Sequence, residues 1–207
     1  MGFNEIWNAT EEIEWNRLLR KYWSLVAVNN IQVEIHLNKL TPERFARMDM
    51  RSWYAFLHDE YFVWKYTAKN RLATTRKQLT RYEDDNELNS LDRIRVAILD
   101  LDRDDIATSL KTACEIRGLG VAGASGLLSL LYPTSFATVD QFVVKALSEV
   151  EAQSLAVRGM NPDGLTIKDG VVLTNIMRAK AAENNARFNS DFWTPRTVEM
   201  ALWAYRG

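Results

Sequence analysis

One stretch decides the fold of this chain: Cys114-Glu-Ile-Arg-Gly-Leu-Gly-Val-Ala-Gly-Ala-Ser-Gly-Leu-Leu-Ser-Leu-Leu131. Its centre, Gly118-Leu119-Gly120, separates a helical pattern that ends near Ile116 from a second one that begins near Val121. Glycines on both sides of an apolar residue allow a backbone turn that residues with a β-carbon resist. The pattern therefore predicts two helices joined by a tight turn, with the Leu119 side chain in the gap between them.

The same turn predicts a binding site for a phosphate. Several amides point outward at the start of the second helix, where the partial positive charge of the helix favours an anion. The expected contacts are the amides of Gly118, Gly120 and Ala122. The alternative is a plain glycine turn that joins two core helices, since Gly-x-Gly turns are common.

The turn and a downstream aspartate together resemble the helix-hairpin-helix (HhH-GPD) DNA glycosylase superfamily. After the second helix comes Phe136-Ala-Thr-Val-Asp140, and Asp140 opens a further helix that runs to about Val150. In that superfamily the turn is likewise followed, after one helix, by an aspartate. The resemblance covers roughly residues 105–150. It extends to 8-oxoguanine DNA glycosylase-like members of the superfamily. Alkylated bases and mismatched adenine stay open as alternative substrates.

The resemblance implies a DNA partner and a catalytic role for Asp140. Its carboxylate would lie beside the sugar of an extruded nucleotide and would stabilise positive charge, or activate water, as the glycosidic bond breaks. The alternative is that Asp140 only N-caps its helix, which aspartate does well. The two roles are compatible, because a capping carboxylate is held in position.

The resemblance also implies contacts and a chemical limit at the turn. The DNA backbone would meet Gly118, Leu119, Gly120 and Ala122. The carbonyls of Ile116 and Gly118 would hold a structural K⁺ or Na⁺. Bifunctional members carry a lysine two residues after the second turn glycine, where this chain has Ala122, so a monofunctional N-glycosylase is implied. Lys145 is a conceivable substitute, although a surface lysine is the simpler interpretation.

Positive charge is concentrated in one segment, although the formal net charge of the chain is only −1. The segment Tyr61–Tyr82 contains lysines and arginines and no acid. Its expected contacts with a DNA backbone are Lys69, Arg71, Arg76 and Lys77. The segment begins with an aromatic cluster, Tyr61-Phe-Val-Trp-Lys-Tyr66, whose rings form either a stacking surface or part of the core. A solvated charged face is the alternative interpretation of the cations.

Composition argues against several kinds of site. A single cysteine, Cys114, rules out an intrachain disulfide and a four-cysteine iron–sulfur cluster, and it favours a reducing cytoplasm. Two histidines, His36 and His58, argue against a zinc site. No cofactor is therefore expected besides the cation at the turn. No apolar run is long enough to span a bilayer and the N-terminus lacks a basic leader, so we expect a cytoplasmic protein without a membrane partner.

Apolar residues recur at helical spacing along nearly the whole chain, which predicts an all-α fold. Thr41-Pro42 and Thr194-Pro195 are expected helix starts, because threonine caps a helix and proline suits its first turn. Only Ile31–Leu37 alternates as a strand would, and a helix or an extended linker has equal weight there. We expect one unit over residues 1–207 in two helical lobes, with a helix-hairpin-helix core at about 105–150 and further helices from 1–104 and 151–207.

Two functions other than a glycosylase remain open from the sequence. One is a DNA-binding module that keeps the turn and has no catalytic activity, which the near-neutral charge and Ala122 both allow. The other is a helical protein-interaction domain in which the turn only packs helices. A basic face around Gly118–Gly120 distinguishes them, since both DNA-binding interpretations need it and the interaction domain does not.

Overall fold

A computed structural model describes residues 2–205, apart from the side chain of Asn29, and within these residues the chain is helical and contains no β-strand. The helices are α1 Phe3–Trp7, α2 Glu12–Leu25, α3 Ile31–Leu37, α4 Pro42–Ala46, α5 Met50–Ala55, α6 Phe62–Lys65, α7 Lys69–Asp84, α8 Leu88–Leu99, α9 Ile106–Cys114, α10 Val121–Leu131, α11 Gln141–Ser148, α12 Glu151–Val157, α13 Ile167–Phe188 and α14 Pro195–Ala204. In this part of the chain, no helix is long and apolar enough to cross a membrane. The prediction of an all-α fold is confirmed.

Both predicted threonine–proline helix starts are present. The Thr41 hydroxyl accepts a hydrogen bond from the Arg44 amide at 3.3 Å, at the start of α4. The Thr194 hydroxyl accepts one from the Thr197 amide at 3.2 Å, at the start of α14. In each case a side-chain oxygen replaces the acceptor that the first helical turn lacks. These starts set where α4 and α14 begin.

The alternating stretch Ile31–Leu37 is the helix α3, and not a strand or an extended linker. Its buried residues are Glu34 and Leu37, which lie one helical turn apart. Glu34 is held inside because its Oε1 accepts a hydrogen bond from the Tyr22 hydroxyl at 2.6 Å. One face of α3 is therefore buried, through Leu37 and through the contact of Glu34 with α2, and alternation along the stretch does not reveal this face.

The helix that begins at Met50 is interrupted by a wider turn. A π-helical segment, Phe56–Tyr61, joins α5 to α6. A π segment inserts an extra residue into a helix and rotates the side chains that follow. In this protein it precedes α6, whose side chains lie against α10.

The core consists of two clusters of buried apolar side chains. One is formed by α3–α10 and the loop after α10, from Leu37 to Phe136. The other joins α1 and α2 to the segment from Ala137 onward, including α11–α14. The second cluster thus combines both ends of the chain, and α14 packs extensively on α2 and α13. The boundary between the clusters falls just before Asp140.

Candidate active site

Only glycine fits at the first position of the turn between α9 and α10. Gly118 has φ +96°, and a β-carbon there would lie 2.9 Å from the carbonyl oxygen of Thr75 on α7. Leu119, the next residue, is buried with Ile116 in the first core cluster. Gly120 then precedes α10 as an exposed N-cap residue without a side-chain cap. The turn therefore presents bare backbone to solvent.

The amides that open α10 have no acceptor inside their own helix, as at any helix start. The carbonyls expected to hold a monovalent cation are partly engaged: Ile116 O accepts from the Leu119 amide at 3.0 Å, and Gly118 O accepts from the Tyr66 hydroxyl at 3.3 Å. Each oxygen keeps a second lone pair, so these hydrogen bonds leave both carbonyls able to coordinate a cation at the turn. Among residues 2–205, no group of three or more His, Cys, Asp or Glu side chains could hold a metal ion.

Asp140 is positioned by α10 from one side and by α11 from the other. The Ser125 hydroxyl of α10 accepts a hydrogen bond from the Val139 amide at 2.9 Å, and the Ser129 hydroxyl contacts that of Thr138 at 3.2 Å. Oδ1 of Asp140 accepts from the amides of Phe142 and Val143 at 2.9 and 3.2 Å. Asp140 is therefore the N-cap of α11, and within the described residues its Oδ2 has no hydrogen-bond partner.

Helix α6 lies directly on α10 because α10 carries glycines there. A β-carbon at Gly123 would come within 2.6 Å of the Tyr66 hydroxyl, and one at Gly126 within 2.8 Å of the Tyr61 hydroxyl and 3.4 Å of Cδ of Lys65. The Tyr61 hydroxyl donates to the carbonyl of Gly123. The close approach carries the Lys65 side chain across α10 toward Asp140.

A cavity of about 350 Å³ lies beside Asp140. Its aromatic walls are Trp64, Phe142 and Trp203. Its charged lining side chains are Glu34, Lys65, Asp140, Arg196 and Glu199. Cavities of this size, with aromatic walls and a few polar groups, are typical of small-molecule sites in proteins.

A buried ion network forms the floor of this cavity. Nη2 of Arg196 donates to Oε1 of Glu34 at 2.9 Å, and Nη1 donates to Oε2 of Glu199. Arg196, Glu34 and Glu199 are each at most 5% exposed. The Trp64 indole donates to the other oxygen of Glu34, which ties the wall of the cavity to its floor. Buried charges need such partners, because an unpaired one would carry a large desolvation cost.

A surface groove of about 440 Å³ runs from the cavity toward the turn. The lining residues that it shares with the cavity are Lys65, Thr67, Asp140 and Phe142. It continues past Gly120 and Ala122 into a third depression, which Arg71 and Gly118 line. Asp140 therefore lies at the junction of a deep aromatic cavity and an open groove that ends at the start of α10.

The predicted DNA-binding cations are divided between different surfaces. Arg71 lines the groove near Gly120. Arg76 is directed elsewhere, since its Nε donates to the carbonyl of His58 at 2.9 Å. Lys69 and Lys77 are exposed on α7 and line neither groove nor cavity. The groove contains acids as well, Asp140 and Asp163, so the face around the turn has mixed charge and is not the basic face that both DNA-binding interpretations require.

Position 122 is an alanine and carries no amine, whereas Lys65 brings an amine into the same region of the site. Ala122 lines the groove, and Lys65 lies at its junction with the cavity. Burial lowers the pKa of Lys65, although the nearby carboxylates of Asp140 and Glu199 oppose this change. Lys65 makes no hydrogen bond or ion pair with another described residue. Lys145, the substitute considered from the sequence, is exposed on α11.

Sequence reasoning missed most residues of the cavity. Of the lining residues, the sequence marks Trp64 as part of the aromatic cluster, but it does not single out Glu34, Arg196 or Glu199. One signal is present: Arg196 and Glu199 are the only charged residues of the predicted final helix and lie one helical turn apart, next to the apolar residues Val198 and Met200. The pairing of Glu34 with Arg196 spans 162 residues of sequence, and no local pattern reports it.

Comparisons with known proteins leave the site to be interpreted from its geometry. No protein-family model, no curated protein and no solved structure among those compared matches this chain.

Proposed function

We propose that this protein is a DNA N-glycosylase that releases an altered base from a nucleotide rotated out of the duplex. The observation that carries the proposal is the position of Asp140, at the junction between the aromatic cavity and the groove that ends at the turn. Enzymes that act on a base within DNA must place it in a pocket outside the stack. The proposal corresponds to what the sequence resemblance implies.

The groove and the cavity suit different parts of one nucleotide. The amides that begin α10 and the guanidinium of Arg71 provide contacts for phosphates. The rings of Trp64, Phe142 and Trp203 provide apolar faces for a base in the cavity. The sugar between base and phosphate then falls beside Asp140. A DNA-binding module without catalytic activity, or a protein-interaction domain, would not need this cavity and its buried charges.

Asp140 is suited to stabilise the sugar as the glycosidic bond breaks. The two amides at the start of α11 fix its Oδ1, so the carboxylate is in place before the reaction begins. Its negative charge faces the position where positive charge develops on the sugar. Water then adds to the sugar and leaves an abasic site, with the base released.

The direct test is base release from duplexes that each carry one altered base: 8-oxoguanine, an alkylated purine, or adenine mispaired. Asp140→Asn should lower the rate by about 100-fold or more, because the fixed negative charge is lost. Asparagine is an equally good N-cap, so stability and DNA affinity should change little. The matched control is Asp191→Asn, at an exposed residue outside the groove. Equal rates for wild type and Asp140→Asn would refute the proposed role.

A second activity, cleavage of the strand at the abasic site, is favoured by the position of Lys65. Its amine can add to C1′ of the sugar as the base departs with the bonding electron pair. One amine proton passes to the base and the other to the ring oxygen as the sugar ring opens, which leaves an imine at C1′. Loss of a C2′ proton then expels the 3′ phosphate. Burial lowers the pKa of Lys65, so more of the amine is in its reactive neutral form. This proposal departs from the monofunctional reaction that Ala122 implies.

Borohydride distinguishes the two reactions, because it reduces an imine to a stable covalent link. Wild-type protein should become attached to the damaged duplex, Lys65→Gln should not, and Lys145→Gln should behave as wild type. Lys145 is the matched control because it is an exposed lysine close to Asp140 in sequence. Base release without trapping by wild type would leave a monofunctional enzyme and remove the lyase role of Lys65.

A further inference from the structure

Of the two acids at the cavity floor, Glu199 has one oxygen without a described partner, whereas both oxygens of Glu34 accept hydrogen bonds. Oε1 of Glu34 accepts from Tyr22, Arg196 and Asn38, and Oε2 accepts from Trp64. Glu199 is bound only through Oε2, to Arg196. Within the part of the chain that the structure describes, Oε1 of Glu199 has no hydrogen-bond partner. The free oxygen belongs to a residue that lines the cavity.

Arg196 holds Glu199 in one orientation. Both residues are on α14, one turn apart and almost completely buried, and Arg196 is itself anchored to Glu34 on α3. The Tyr22 hydroxyl from α2 completes this anchor. A carboxyl group fixed through one oxygen presents its other oxygen in a defined direction. Glu199 is therefore held through one oxygen, as Asp140 is, and both residues line the same cavity.

Charged groups face Glu199 from several elements. They are Arg196 on its own helix, Glu34 on α3, Asp140 at the start of α11 and Lys65 on α6, with the Tyr22 hydroxyl on α2. Helix α10 has no ionisable side chain. On α13, which also packs against α14, no acid or base lines the cavity, and Lys180 pairs with Glu183 at 3.0 Å.

The balance of these groups leaves Glu199 easily protonated. Burial raises the pKa of Glu199 to about 7, and Asp140 adds to the rise, while Arg196 and Lys65 oppose it. A carboxyl group with a pKa near the ambient pH is protonated in about half of the molecules and is an effective proton donor. Two carboxyl groups with different surroundings in one site can therefore take the roles of acid and charge stabiliser.

We propose that Glu199 is a second catalytic residue, which donates a proton to the base as the base leaves the sugar. This inference rests on the proposed glycosylase function. The Glu199 proton passes to a ring nitrogen or carbonyl oxygen of the base, which takes the electron pair of the glycosidic bond and departs neutral. Water adds to C1′ opposite Asp140, and its proton returns to Glu199. The inference also defines a substrate class: neutral bases, which need protonation to leave.

The test is the pH dependence of single-turnover base release, between about pH 5.5 and 8.5, for wild type and Glu199→Gln. Glutamine keeps an oxygen that can accept from Arg196 but has no acidic proton. The probes are a duplex with the neutral purine released in the panel above and a duplex with 7-methylguanine, which already carries a positive charge.

For the neutral purine, the wild-type rate should fall as the pH rises through about 7, because the donor loses its proton. Glu199→Gln should be about 100-fold slower at pH 6 and lack this decline. With 7-methylguanine the rates of wild type and Glu199→Gln should differ by only a few fold. A merely structural role of Glu199 would instead slow the release of both bases alike. If Glu199→Gln fails to fold, the wild-type protein alone supplies the test. Its rate of base release should decline above pH 7 with the neutral purine and should not decline with 7-methylguanine.

An unchanged rate and pH profile in Glu199→Gln would overturn the role of Glu199 and leave the glycosylase proposal intact, because wild type still releases the base. A wild-type rate for the neutral purine that does not decline above pH 7 would do the same. Release of no base from any duplex would overturn both proposals.

Discussion

Two glycines in the turn before α10 have different physical roles. Gly118 adopts φ +96° and lies against the backbone of Thr75, so any other residue there would be strained. Gly120 has φ −94°, which any residue adopts, and a β-carbon there would meet nothing within 4 Å. Its small size is therefore not needed for the fold. Gly120 lines the groove, where a side chain would stand between the backbone and an approaching phosphate.

Alanine substitutions separate these roles. Gly118→Ala should lower the free energy of unfolding by about 2 kcal/mol or more, because a positive φ and contact with a fixed carbonyl are both unfavourable. Gly120→Ala should change it by less than about 1 kcal/mol and yet weaken DNA binding. Urea unfolding and a binding titration at low salt measure the two effects. Equal stability of both variants would contradict the account of the turn.

Helix α10 organises the site through its two faces. One face bears Ser125 and Ser129, whose hydroxyls hold the segment before Asp140. The other bears Gly123 and Gly126, on which α6 lies with Lys65. Small residues on both faces allow two segments to approach one helix closely. The distance between the Lys65 and Asp140 side chains therefore depends on α10.

Ser125→Ala tests this organisation. It should cost roughly 1–3 kcal/mol of stability, because the buried amide of Val139 loses its acceptor. It should also slow base release, since the segment that ends at Asp140 is less firmly held. Ser148→Ala is the control, because that exposed hydroxyl donates only to the carbonyl of Lys145 in its own helix. A Ser125→Ala protein as stable and active as the control would show that this contact does not position Asp140.

Sequence patterns report the helices well because their causes are local. The threonine–proline starts, the turn at Gly118-Leu119-Gly120 and the helix opened by Asp140 all depend on neighbouring residues. The π segment Phe56–Tyr61 and the helical form of Ile31–Leu37 depend on packing against other helices, and periodicity does not report them. The position of Asp140 as a helix N-cap could therefore be predicted from sequence, and its catalytic role is implied only by the resemblance, whereas the surrounding cavity could not be predicted.

The cavity exists only in the folded molecule, because distant segments form it. Its walls come from residues near Tyr22 and Glu34, from α6, from the segment at Asp140 and from α14. The ion network links these segments across the two core clusters. With a formal net charge of −1 and mixed charges in the groove, the molecule offers few phosphate contacts. Recognition should therefore depend more on the flipped nucleotide than on the duplex backbone.

The central claim is that the sugar of an extruded nucleotide contacts Asp140. The most direct measurement is a crystal structure of the wild-type protein with a duplex that carries a tetrahydrofuran analogue of an abasic site. The account predicts that the analogue lies outside the helical stack, with its ring in contact with the Asp140 carboxylate and a neighbouring phosphate at the amides that begin α10. A duplex bound to another face of the protein, or an analogue that remains stacked in the helix, would contradict it.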